Sequence, residues 1–115
     1  MNSFPHFRPT VEASGLVAIS GQIGLVDGRL VDGGAAEQTE QALANLLSVL
    51  ESAGLTASDL VKVNIYLTTM GDYAALNERY NAVFGSEESP ARTCVAVHEL
   101  PFGALVEIEG WARRG

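Results

Sequence analysis

Hydrophobic and polar residues follow two different periods along the chain, and each period predicts a different secondary structure. In residues 35–53, leucines recur at helical spacing, which predicts an amphipathic helix that ends at Gly54. A second helix is predicted to begin at Asp72 and to end at Gly85. Its apolar stripe consists of Tyr73, Leu76, Tyr80, Val83 and Phe84.

Alternating or uninterrupted apolar residues predict the strands. Asp27-Gly28 is typical of a hairpin turn, across which residues 29–31 are expected to pair back. The other predicted strands cover residues 16–24, 61–69, 92–98 and 104–112. The resulting order, β-β-(β)-α-β-α-β-β, predicts an α+β domain whose two helices cover only one face of the sheet.

The last predicted strand has two different faces. Val106, Ile108, Gly110 and Ala112 form a small apolar face that suits packing against helices, whereas the opposite face carries Leu105, Glu107, Glu109 and Trp111. Large apolar residues on a face that no helix reaches predict that another subunit covers them. The alternative is a partly exposed surface with an isolated tryptophan.

Composition narrows the class of protein. The 115 residues are 47% hydrophobic and 18% charged, which predicts one folded domain over residues 1–115. No apolar run approaches the ~20 residues of a membrane span, and the N-terminus has no secretory signal pattern, so we expect a cytoplasmic protein without membrane contact. A single cysteine and two histidines argue against a disulfide and against a zinc site.

Charge argues against nucleic-acid binding. The net charge is −7, and the seven lysines and arginines are scattered rather than gathered into a basic stripe. The motifs of nucleotide-binding loops, GxSxG hydrolases and HExxH metalloproteases are also missing from the sequence.

Arg92 is the first candidate for chemistry, because it lies in a strand of small and apolar residues. A partly buried guanidinium needs a carboxylate partner. That partner is Glu107 or Glu109 on an adjacent strand, or the carboxylate of a ligand, which a guanidinium binds with two parallel hydrogen bonds. Glu107 is itself a candidate general base, and the alternative is that both glutamates form ion pairs at an interface.

Two further positions lie near these residues. Cys94 follows Arg92 by two residues and so shares its face of the strand; a lone cysteine is more often a small wall residue than a nucleophile. Ser20-Gly21-Gln22 interrupts an apolar strand, and a glycine there permits the close approach of a ligand or of another backbone, or marks a bulge.

Several segments together resemble the RidA (YjgF) family of reactive enamine and imine deaminases, over residues 11–112. The most specific are the block from Pro90 to Val95 and the block from Leu100 to Glu109. The others are Ser20-Gly21-Gln22-Ile23, Glu37-Gln38-Thr39, Val61-Lys62-Val63-Asn64-Ile65-Tyr66-Leu67-Thr68 and Asn77-Glu78-Arg79-Tyr80.

The resemblance implies a chorismate-mutase-like (YjgF-like) α+β fold, with a mixed β-sheet and two helices packed on one face. It also implies a homotrimer, in which three sheets form a barrel and the sites lie between subunits. The implied activity is hydrolysis of 2-aminoacrylate and related imines to 2-keto acids and ammonia, without a metal or an organic cofactor. The implied ligand is therefore a small imine or a 2-keto acid.

The resemblance also implies roles for individual residues. Arg92 holds the substrate carboxylate, and Glu107 orients or activates the attacking water. The main chain at Cys94 and Gly21 contacts the polar atoms of the substrate. The other residues expected to line the pocket are Asn77, Ser20 and Phe7.

This chain departs from the family pattern near its N-terminus. His6-Phe7-Arg8-Pro9 stands where the family usually has Pro-Tyr-Ser-Gln, and Phe102 replaces the usual lysine before Gly103. Arg8 is therefore a candidate for selecting substrates with a second acidic group; the alternative is that it points to solvent and neutralises Glu12. Two other functions stay open: a non-catalytic trimer that binds 2-keto acids, and a deaminase for a larger imine.

Overall fold

A computed structural model describes residues 8–85 and 89–115 of the chain. Within these residues the chain forms two helices, α1 (Ala35–Ser52) and α2 (Tyr73–Val83). The strands are β1 (Thr10–Ala13), β2 (Leu16–Gln22), β3 (Leu25–Val26), β4 (Arg29–Leu30), β5 (Leu60–Leu67), β6 (Ala91–Ala96) and β7 (Val106–Arg113). No helix in this part of the chain is long and apolar enough to span a membrane.

The main sheet has five strands in the order β1-β2-β7-β5-β6. β5 and β6 are parallel, because α2 carries the chain back between them, and the other neighbours are antiparallel. β3 and β4 form a separate hairpin, as Asp27-Gly28 predicts. The predicted α+β class, with two helices on a mixed sheet, is confirmed.

Helix α1 packs on the sheet through the leucines that the periodicity identifies. Leu43, Leu46 and Leu50 are fully buried in the core. At its N-terminus, Glu37 accepts a hydrogen bond from the backbone N–H of Gly34 at 2.8 Å. This bond, together with one from its own backbone, lowers the pKa of Glu37 because it stabilises the charged carboxylate.

Strand β7 separates its two faces as predicted. Val106, Ile108 and Ala112 are buried against the helices, whereas Trp111 on the opposite face is 40% exposed. We call the side that lacks helices the open face of the sheet. It carries the alternate residues of β5 and β7, among them Tyr66, Glu107 and Glu109.

Two sequence interpretations were incomplete or wrong. Strand β1 has no apolar alternation and is largely exposed; it forms because the turn at Ser14 and Gly15, both with positive φ, folds it back onto β2. In α2 only part of the predicted stripe enters the core. Tyr73 and Val83 are exposed, and Tyr73 lies against Arg92 of the edge strand β6, where the sheet ends.

Candidate functional site

Arg92 lies on the edge strand β6 and faces the helices. Its parallel partner on β5 is Val63, a fully buried core residue, and this register directs the Arg92 side chain toward α2. Helix α2 presents three polar or aromatic side chains to it at the i, i+4, i+7 spacing of one helical face: Tyr73, Asn77 and Tyr80.

The guanidinium of Arg92 is held by hydrogen bonds and by rings, not by an acid. Its Nη2 donates to Oδ1 of Asn77 at 2.6 Å and to the hydroxyl of Tyr73 at 3.1 Å. The guanidinium carbon lies 5.5 Å from the ring centroid of Tyr73 and 4.8 Å from that of Tyr80. Cation–π contact of this kind holds a guanidinium without neutralising its charge.

No carboxylate among the described residues forms an ion pair with Arg92. The expected protein partners, Glu107 and Glu109, are not on an adjacent strand, so that interpretation was wrong. β5 separates β6 from β7, and both glutamates point to the open face. The charge of Arg92 is therefore available to an external anion.

Cys94 shares the face of Arg92 and packs against the core cluster. Burial raises the pKa of its thiol, and the nearby charge of Arg92 only partly opposes that shift. The thiol therefore stays protonated near neutral pH, which suits a wall position better than a nucleophile.

Glu107 lies on the open face, directly above Gly21. A Cβ built on Gly21 would meet Oε2 of Glu107 at 2.1 Å, so the carboxylate occupies the space that any other side chain would fill. Burial, and secondarily the charge of Glu109, raises the pKa of Glu107. Among the described residues, neither oxygen of this carboxylate accepts a hydrogen bond, so both can accept one from water.

Glu109, two residues further along β7, is occupied instead. Its Oε2 accepts hydrogen bonds from the hydroxyl of Tyr66 at 2.6 Å and from Nδ2 of Asn64 at 3.3 Å. The hydrogen bond to the Glu109 carboxylate, together with burial, raises the pKa of Tyr66 to about 12, because both favour the protonated phenol. The two glutamates therefore differ: Glu109 belongs to a hydrogen-bonded network, and Glu107 has a raised pKa and free oxygens.

Ser20 tethers the segment that precedes β1. Its hydroxyl donates to the backbone oxygen of Arg8 at 2.6 Å, and its N–H donates to that of Pro9 at 2.9 Å. Arg8 borders a shallow depression of about 240 Å³ on the open face, beside Trp111. Arg8 is exposed, as the alternative of a solvent-facing side chain expects. Glu12 pairs with Arg114 at 3.0 Å and, among the described residues, not with Arg8, so the ion-pair part of that alternative is wrong. Phe7 lies outside the described residues.

The predicted site residues thus fall into two clusters. The helix-side cluster consists of Arg92, Asn77 and Cys94, and the open-face cluster consists of Glu107, Gly21 and Ser20. A single chain does not bring the clusters together, because the sheet lies between them. The apolar stripe predicted for α2 placed Tyr73 and Tyr80 in the core. Their i, i+4, i+7 spacing with Asn77 was the signal in the sequence that all three lie on one helical face and can contact Arg92.

A metal site is not evident in the described part of the chain. No group of three His, Cys, Asp or Glu side chains in residues 8–85 and 89–115 is placed to hold a metal ion.

The chain is similar to known proteins in both sequence and fold. A family profile described as endoribonuclease L-PSP matches residues 1–114. The chain is 39% identical over 111 residues to the mouse 2-iminobutanoate/2-iminopropanoate deaminase. The aligned region covers 95% of this chain and 82% of the mouse protein. It is similar to the crystal structure of RidA from an Antarctic Psychrobacter, with a TM-score of 0.89 and 37% identity over 97% of this chain and 91% of that one. It is also similar to Escherichia coli TdcF with bound serine, with a TM-score of 0.89 and 29% identity over 98% and 91% of the two chains.

Proposed function

The chain belongs to the RidA (YjgF) family that the endoribonuclease L-PSP profile describes, and from this premise we propose that it is an imine deaminase. Its substrates are 2-aminoacrylate-type enamines and imines, which it hydrolyses to 2-keto acids and ammonia. The mouse relative whose name states this activity supports the proposal, and so does the serine, an amino-acid carboxylate, bound to TdcF.

One observation carries the proposal: a half-buried guanidinium that lacks an acid within the described residues. Arg92 is fixed in place by Asn77 and by two aromatic rings, and yet its charge is not neutralised. Partly burying an unpaired charge is costly, and the binding of a carboxylate recovers that cost. Imino acids, enamine acids and keto acids all carry such a carboxylate next to the reacting carbon.

Glu107 supplies the second requirement, a base for the attacking water. An imine carbon is already electrophilic, so no covalent nucleophile is needed. Glu107 takes a proton from water as the water oxygen bonds to the imine carbon, and it passes that proton to the imine nitrogen, which gives a neutral carbinolamine. The carbinolamine hydroxyl then gives its proton, by way of Glu107, to the nitrogen as the C–N bond breaks, so that ammonia leaves, the keto acid forms and the Glu107 carboxylate is restored. A positioned base of this kind contributes about 10²–10⁴-fold.

The two clusters meet only if two subunits build one site. Neighbouring strands lie about 4.8 Å apart, and a small imine cannot reach from Arg92 around β5 to Glu107 on the opposite face. We therefore propose a homotrimer in which the open faces, with Trp111, line a central barrel. Each cleft then takes its helix-side cluster from one subunit and its open-face cluster from the neighbour. Sedimentation is expected to show three chains per particle at micromolar concentration.

Binding without catalysis is the second candidate, because Arg92 serves a 2-keto-acid sensor equally well. The raised pKa and the free oxygens of Glu107 favour the enzyme, since a sensor has no use for a base. A larger imine as substrate would require the same two residues.

Nucleic acid is not part of the proposed function, despite the name of the family profile. Two of the arginines are already paired with acids, Arg79 with Glu40 at 2.9 Å and Arg114 with Glu12 at 3.0 Å. A net charge of −7 also disfavours phosphate contacts. A cytoplasmic location stays a prediction.

The test is the release of 2-keto acid from imines that a dehydratase generates in the assay. Arg92→Ala is expected to abolish the acceleration with the circular dichroism spectrum unchanged, and Arg92→Lys is expected to restore little of it, because an ammonium cannot make a two-pronged contact. Arg29→Ala, which changes an exposed arginine in the β3–β4 hairpin, is the matched control.

Glu107→Gln separates the enzyme from the sensor. The enzyme predicts a fall of at least about 10²-fold in hydrolysis with keto-acid binding retained. If the wild-type protein accelerates no imine of the panel while it binds keto acids, the sensor is the correct function. If Arg92→Ala turns over normally, the guanidinium has only a structural role.

A further inference from the structure

The Nη2 atom of Arg92 already uses both of its hydrogens. A guanidinium offers a carboxylate two pairs of parallel N–H bonds, and each pair includes one hydrogen of Nη2. Here one Nη2 hydrogen goes to Asn77 and the other to Tyr73. A carboxylate that binds Arg92 with two prongs must therefore replace one of these two acceptors.

The two acceptors are not equally firmly held. The bond to Asn77 is 2.6 Å long and partly buried, whereas the bond to Tyr73 is 3.1 Å long and exposed. The two rings that flank the guanidinium differ in the same way, since Tyr73 is 40% exposed and Tyr80 is 3% exposed. An anion from solvent therefore reaches Arg92 from the Tyr73 side and replaces the Tyr73 oxygen, and Asn77 keeps its bond.

Tyr73 has a hydrogen to offer the incoming anion. Its oxygen accepts from Arg92, and in the described part of the chain its own O–H has no acceptor. A charged carboxylate oxygen is a stronger hydrogen-bond acceptor than an uncharged oxygen. A carboxylate that binds Arg92 from the Tyr73 side lies beside the Tyr73 hydroxyl and can accept its hydrogen.

We infer that the Tyr73 hydroxyl is a direct donor to the substrate carboxylate that Arg92 holds. The Tyr73 oxygen accepts a hydrogen bond from Nη2 at a position that a bound carboxylate would take. Once the carboxylate replaces it there, the Tyr73 hydroxyl becomes the third hydrogen-bond donor to the carboxylate, beside the two N–H groups of Arg92. This inference rests on the proposed binding of a carboxylate at Arg92 and adds a residue that determines affinity for that group. Neither composition nor the apolar stripe of α2 distinguished Tyr73 from a core tyrosine.

The experiment measures the affinity of 2-oxobutanoate by titration calorimetry, which does not depend on turnover. Tyr73→Phe keeps the ring against Arg92 and removes only the hydroxyl, and we expect its affinity to fall about tenfold, the usual effect of one hydrogen bond to a charged group. The value of kcat for imine hydrolysis is expected to change by less than about twofold, with the loss appearing in KM.

Tyr80→Phe is the matched comparison, because it removes the hydroxyl of the other ring. That hydroxyl is buried and has no hydrogen-bond partner among the described residues. Equal losses in the two variants would overturn the inference, and so would a Tyr73→Phe protein that binds as tightly as the wild type or more tightly. A third variant, Tyr73→Leu, removes the ring as well as the hydroxyl. If Tyr73→Leu binds weakly while Tyr73→Phe binds like the wild type, packing of the ring is the explanation, which also contradicts the inference.

The two proposals fail in different ways. A wild-type protein that does not bind 2-oxobutanoate contradicts the proposed function itself. A wild-type protein that binds it, with no loss in Tyr73→Phe, contradicts only the role of Tyr73.

Discussion

At the scale of single residues, Gly21 and Glu107 share one volume. The carboxylate of Glu107 lies where the side chain of residue 21 would be. We expect Gly21→Ala to displace Glu107 and to reduce imine hydrolysis by about 10²-fold, the lower range for loss of a general base. Gly85→Ala is the control, because a Cβ on Gly85 meets no atom of residues 8–85 and 89–115 within 4 Å. If Gly21→Ala kept full activity, the position of Glu107 would not matter to the reaction.

For the proposed reaction, the raised pKa of Glu107 predicts a defined pH dependence. Only the ionised form accepts a proton, so kcat/KM is expected to fall as pH drops through a pKa above the ordinary 4.5. Glu109→Gln removes a neighbouring negative charge, which should lower the pKa of Glu107 and move this acid limb to lower pH.

A pH-rate profile measures that shift. Glu99→Gln, which neutralises an exposed carboxylate outside both clusters, is the control and is expected to leave the limb in place. An acid limb that does not move in Glu109→Gln would show that another group titrates.

At the scale of elements, Asn45 of α1 fastens the chain that follows Gly21. Its Nδ2 donates to the backbone oxygens of Ile23 at 2.9 Å and of Leu25 at 3.0 Å. Asn45→Ala leaves both acceptors without this donor, and we expect the free energy of unfolding to fall by about 1–3 kcal/mol. Urea denaturation measures this change. Asn81→Ala, on the exposed side of α2, should change stability by less than about 0.5 kcal/mol.

The helices and the central strands were predictable because burial imposes a period on the sequence. The leucines of α1 and the alternation in β7 give the same assignment in the sequence and in the structure. Strand β1 escaped prediction because hydrogen bonds to β2, rather than apolar side chains, hold it in place.

The site was predictable only in part, because spacing within a segment does not reveal which strands are neighbours. Arg92 and Glu107 were identifiable from the sequence because each is a charged residue in an apolar strand. The sequence did not show that β5 lies between them, and so it suggested an ion pair that does not form. Tyr73 was missed because an aromatic residue at helical spacing resembles a core residue until the end of the sheet is known.

At the scale of the whole molecule, two features of the single chain favour the proposed trimer. Within the described residues the open face of the sheet lacks a covering helix, and the two clusters of the site lie on opposite sides of the sheet. Trp111 and Val11 remain exposed on the open face in the single chain, and Glu107, the proposed base, also lies there. In the proposed trimer the subunit interface and the active site share this surface, so loss of assembly and loss of activity should occur together.

Because the sheet separates Arg92 from Glu107 within one chain, two inactive variants can be tested for complementation. In a cyclic trimer, each site would combine Arg92 of one chain with Glu107 of the next. Two inactive variants, Arg92→Ala and Glu107→Gln, should therefore complement each other when they are unfolded together and refolded. Every mixed trimer contains one intact site, so equal amounts should recover about a quarter of wild-type activity if chains assemble at random. A chain that carries both substitutions, refolded with an equal amount of wild type, is the control: an active site then needs two neighbouring wild-type chains, so activity should fall to about a quarter, below the half expected from dilution alone. If the mixed variants stay inactive, both residues serve the same subunit.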